Sequence, residues 1–62
     1  MKIEDINGWV DLSPVQKVKA RLWVALNQNT IEGDEILGFS TIGDNLYLNY
    51  RDQFSYFQAR IT

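Results

Sequence analysis

EILGFSTIGDNLYLNYR, residues 35–51, decides the fold, because two runs of alternating apolar and polar side chains flank a Gly-Asp pair. Gly43-Asp44 suits a two-residue type II′ hairpin, whose first central residue takes positive φ and is therefore usually Gly. That turn sets Ile42 opposite Asn45, and one face then pairs Thr41 with Leu46, Phe39 with Leu48 and Leu37 with Tyr50. A third run over 54–61 continues the pattern. With Asp52-Gln53 as the second turn, Leu48 meets Phe57, Leu46 meets Ala59, and Ile61 extends the same apolar face. A slip of one residue would turn every side chain to the wrong side. The expectation is a three-stranded antiparallel meander over 35–42, 45–51 and 54–61.

Upstream, Ser13-Pro14 signals a helix start. The Ser oxygen accepts an orphan backbone N–H, and Pro at the first helical position has no N–H to leave unpaired. A helix over 14–28 follows. At about 100° per residue, Val15, Val18, Leu22, Ala25 and Leu26 share one stripe with Trp23 at its edge, which reads as the core face. Leu12 before the cap is placed to staple the entry of the chain. Asn27-Gln28-Asn29 ends the helix, since Asn tolerates the left-handed conformation common there. Residues 1–11 read as an irregular arm with a turn at Asn7-Gly8 that docks Trp9 on the core. The fold class expected is α+β, with one helix on the meander, in one domain over 1–62.

Composition narrows function. Sixty-two residues without Cys or His exclude disulfides, thiolate or imidazole zinc sites and the nucleophile systems built on them. Asp/Glu, Lys, Arg, Tyr and Ser chemistry remains, but it needs a concave pocket that one helix on a small sheet rarely provides. A non-enzymatic protein without cofactor or metal is expected. Six Lys and Arg against eight Asp and Glu give a net charge of −2, a field that steers poorly toward polyanions and disfavours bulk nucleic-acid binding. No apolar run reaches the roughly 18 residues of a membrane span, and no basic-then-apolar leader opens the chain, so a cytoplasmic protein off the membrane is expected.

Two surfaces stand out. The outer sheet face is expected to carry Ile36, Ser40, Ile42, Tyr47, Asn49, Arg51, Phe54, Tyr56, Gln58 and Arg60, with no acidic residue among them. Tyr, Phe and Arg are enriched where proteins meet proteins, which makes Tyr47, Asn49, Arg51, Phe54, Tyr56, Gln58 and Arg60 candidate partner contacts. The bland alternatives are cross-strand pairing on an exposed sheet, or a second small core beneath the arm. On the helix, Lys17, Arg21 and Val24 lie opposite the apolar stripe and form a second candidate contact, against the plainer reading of a solvated basic face. Glu32-Gly33-Asp34-Glu35 concentrates carboxylates but lacks EF-hand spacing, so a solvated acidic turn is expected.

The function expected is a small protein-binding module that docks on a larger protein or on a second copy of itself. By analogy, this inventory suits an inhibitor or modulator of the kind mobile genetic elements encode. The reading from another class is single-stranded nucleic-acid binding, in which bases stack on the aromatic sheet face.

Overall fold

The computed structural model describes residues 2–62. Two short 3-10 turns, Ile3–Asp5 and Trp9–Asp11, precede helix α1 (Pro14–Leu26), and one more helical turn, Gln28–Ile31, leads to strands β1 (Glu35–Ile42), β2 (Asn45–Arg51) and β3 (Tyr56–Arg60). The strands form one antiparallel sheet in the order β1-β2-β3. The fold is therefore α+β, as the sequence predicts. No helix among the described residues is long and apolar enough to cross a membrane.

The helix start is a full capping box: the Gln16 backbone N–H donates to Ser13 Oγ at 3.2 Å, and the Ser13 N–H donates to Gln16 Oε1 at 2.9 Å. Leu12 is buried just before it. The helix stops at Leu26 rather than 28, and Asn27 ends it without a left-handed residue (φ −114°). Instead, the Asn27 amide Nδ2 donates to the Trp23 carbonyl at 2.7 Å, while its backbone N–H reaches the Trp23 and Val24 carbonyls.

In the sheet, Ile42 faces Asn45, Thr41 faces Leu46 and Phe39 faces Leu48, as the turn dictates, and Gly43 takes φ 61°. Below Gly38 the register shifts, so that Ile36, not Leu37, stands opposite Tyr50. The arm explains the bulge. Asn7 runs along the free edge of β1, accepting the Phe39 N–H at 2.8 Å on its carbonyl and donating its side-chain amide to the Leu37 carbonyl at 3.3 Å. Gly8 permits this approach, since a Cβ there would lie 2.7 Å from the Phe39 carbonyl oxygen.

The second hairpin also departs from expectation. Asp52 accepts both the Phe54 and Ser55 N–H groups on Oδ1, at 2.7 and 2.8 Å, and thereby builds a four-residue turn over 52–55 in place of a two-residue one. Consequently Leu48 faces Ala59 and Tyr50 faces Phe57. A shift of two residues keeps every side chain on its expected face, but it moves Phe54 out of the sheet and into the turn.

The largest departure concerns α1. Its expected core stripe points outward: Val15, Val18, Leu22 and Leu26 are 62, 67, 60 and 76% exposed, and Ala25 is exposed as well. The inward face is the opposite one. Ala20 is fully buried, with Trp23 and Val24 half-buried against a core of Trp9, Leu12, Phe39, Leu46, Leu48 and Tyr50. Ala20 is enclosed within this cluster, and Trp23 and Val24 pack against it from the same side of the helix. Trp9 supplies a reason: it lies 6.0 Å from the Phe39 ring, with the Arg21 guanidinium 4.9 Å and the Lys17 ammonium 5.7 Å from its own. Cation–π contact and the apolar stems of these residues favour turning the basic side of α1 onto the arm.

Candidate functional site

The two candidate faces differ in how far their residues are engaged within the chain. On the helix, Lys17, Arg21 and Val24 are each engaged within the chain, although Arg21 keeps about half of its side chain accessible (53%). Val24 packs on the core, Lys17 and Arg21 lie against Trp9, and Arg21 Nη2 is bonded to Glu4 Oε1 at 2.8 Å. That hydrogen bond, helped by the Glu4 backbone N–H, holds the Glu4 carboxyl below its ordinary pKa. This face of α1 fastens the arm.

The open face is the opposite one. Val15, Val18, Leu22 and Ala25 follow the 3-4-3 spacing of heptad core positions a, d, a and d, and Leu26 widens the stripe at position e. Single exposed apolar residues are ordinary on a protein surface, whereas a contiguous row of aliphatic side chains is not. The sequence held a signal for this. Eight of the thirteen residues of α1 are Ala, Val, Leu or Trp, more than one buried face can hide.

On the sheet, the described residues of the arm do not build a second core on the outer face: Ile3, Ile6 and Trp9 pack with the main core. A polar ladder crosses all three strands. Asn49 donates Nδ2 to the Gly38 carbonyl at 3.2 Å and to Ser40 Oγ at 3.1 Å, and its Oδ1 accepts from Gln58 Nε2 at 3.0 Å. Arg60 donates to Asn45 Oδ1 at 3.1 Å and to the Thr62 carbonyl at 2.8 Å. Arg51 donates Nε to Glu35 at 2.6 Å and Nη1 to the Tyr56 hydroxyl at 3.4 Å, and these two bonds raise its already high pKa. Tyr47 and Asn49 are half-buried, whereas Tyr56 is 73% exposed. Phe54, 89% exposed at the tip of the second turn, stands apart from this group. Glu35 therefore places a carboxylate on a face expected to have none, and most of its polar atoms are already satisfied by one another.

A shallow, open depression lies between the acidic turn and the second hairpin, lined by residues 32–35 and 51–53. Among the described residues no three acidic side chains converge as metal ligands. In that depression Glu35 is paired with Arg51 at 2.6 Å, and Asp52 accepts the Phe54 and Ser55 N–H groups of the turn.

Compared with family models, with curated proteins and with solved structures, the chain gives no match.

Proposed function

We propose that this chain is a small, non-enzymatic protein-binding module whose principal docking surface is the outward face of α1. The observation that carries the reading is the exposure of Val15, Val18, Leu22 and Leu26 in one helical row. Burying a Val or Leu that stands free contributes about 1.5–3 kcal/mol per side chain, so four of them in register supply a large driving force for association. The outer sheet face, with Tyr56 foremost, is the secondary surface. By analogy with other small acidic binders, the consequence of docking is inhibition or modulation of a larger protein.

Single-stranded nucleic-acid binding is the competing reading, supported by the exposed Tyr56 ring beneath the Arg51 guanidinium (5.8 Å). The pairing of Arg51 with Glu35 weakens it, because the cation nearest the ring is already neutralised. Capture from native lysate with and without nuclease separates the two. The protein-binding reading expects a nuclease-resistant partner that is lost with Val18→Glu/Leu22→Glu and kept with Tyr47→Ser/Tyr56→Ser. Nuclease-sensitive capture lost only with the tyrosine variants would replace it with the nucleic-acid reading.

A further inference from the structure

The charge of this chain is not spread evenly. From Leu12 to Ile31 there are three basic residues, Lys17, Lys19 and Arg21, and no carboxylate, which gives +3; the rest of the chain carries three basic and eight acidic residues, −5, for the total of −2. In heptad terms Lys19 falls at position e and Arg21 at position g, the two positions that flank the apolar row and set partner choice between packed helices. Lys19 is exposed and has no ion-pair partner among the described residues. Arg21 keeps about half of its side chain accessible (53%) beside Glu4.

We infer that the outward face of α1 takes a helical segment of a partner protein, one with an apolar stripe flanked by carboxylates. The inference rests on the docking reading above and adds the partner's chemistry. The rise of an α-helix gives the thirteen residues of α1 a length of about 20 Å, just under two heptads, along which Val15, Val18, Leu22 and Ala25 offer knobs-into-holes packing. A second copy of this chain fits the same face poorly. Because α1 has no carboxylate, neither a parallel nor an antiparallel pair of α1 helices forms an opposite-charge contact, and the antiparallel pair sets Lys against Lys or Arg against Arg. An anionic membrane fits poorly as well, since the −5 remainder of the chain is repelled by the surface that would attract the helix. Carboxylates beside an apolar stripe satisfy both parts of the face at once.

The test titrates the protein with two labelled synthetic peptides of three heptads. Both carry Leu at the core positions, with Glu at every e and g position in one and Lys in the other. Like charges keep each peptide from pairing with itself. At low ionic strength the Glu peptide is expected to bind about tenfold or more tightly than the Lys peptide, with the gap closing at ~0.5 M salt, where the Debye length falls to a few ångströms. Leu22→Glu should abolish the binding, and Lys19→Glu should narrow or reverse the preference, with circular dichroism confirming that each variant is folded. Equal binding of the two peptides, binding of neither, or binding untouched by Leu22→Glu overturns the proposal. Vesicles rich in phosphatidylglycerol and sedimentation over a concentration series complete the experiment: vesicle binding or self-association lost with Leu22→Glu overturns the acidic-helix assignment in favour of a membrane or a second copy. If lysate capture depends on Val18 and Leu22 while the peptides are not distinguished, the docking surface stands and only its assigned partner fails.

Discussion

The two faces of α1 use similar residues for opposite ends. Inward, Ala20, Trp23 and Val24 join the core, and Lys17 and Arg21 lie against Trp9 of the arm; outward, Val15, Val18, Leu22 and Leu26 stay 60–76% exposed. By apolar area alone the outward face is the better core. The side that turns inward instead carries a fully enclosed Ala20 and two cations placed over an indole. Hydrophobicity says how much surface a helix can bury, whereas shape and the needs of neighbouring groups decide which surface it does bury.

The largest effect is expected from Ala20→Glu. A carboxylate forced into a fully enclosed site without a partner costs several kcal/mol, comparable with the roughly 3–5 kcal/mol that a core of this size supplies. Urea denaturation followed by circular dichroism should find the variant largely unfolded in buffer. Gly8→Ala comes next. Its Cβ would meet the Phe39 carbonyl at 2.7 Å in a backbone held at φ 86°, so a loss of about 1–3 kcal/mol is expected, with Trp9 fluorescence reporting release of the arm.

How far the sequence led can be judged from these residues. The N-cap at Ser13, the Gly43-Asp44 hairpin and the burial of Trp9, Leu12, Leu46 and Leu48 were all legible, because each depends on local geometry or on a period-2 pattern with one apolar side. The facing of α1 was not. With apolar residues on two sides of the helix, periodicity could not choose between them, and the deciding contacts join Trp9 to Lys17 and Arg21 across the fold. The bulge at Leu37-Gly38 escaped for the same reason, since it answers to Asn7 thirty residues away. In the second hairpin a side-chain bond from Asp52 lengthened the turn, which local propensity alone does not reveal. The candidate sheet face was legible as a surface, although the internal pairing of Arg51 and Asn49 was not.

Smaller effects sharpen the contrast from the outer side. Leu22→Glu should change stability by no more than about 0.5 kcal/mol, the usual range for an exposed position, while removing partner capture. A loss of stability comparable with that of Ala20→Glu would mean that the outward row is packed after all. The smallest effect belongs to Glu4. Its folded pKa lies below the unfolded value, so the stability it contributes is present above the unfolded pKa and is lost as pH falls through the folded one. Glu4→Gln should therefore flatten a slight acid-side decline in melting temperature without moving the melting temperature near neutrality by much, since the Arg21 pair is solvent-exposed.

The facing of α1 is tested most directly by thiol reactivity, because the chain has no cysteine of its own. Ala20→Cys and Leu22→Cys would each be made alone, and the rate of reaction with a thiol reagent measured under native conditions. The thiol at position 22 is expected to react at nearly the unfolded rate, while the one at position 20 is protected and reacts only with unfolding. Protection at 22 together with rapid reaction at 20 would contradict that expectation, returning the aliphatic row to the core and removing the docking surface.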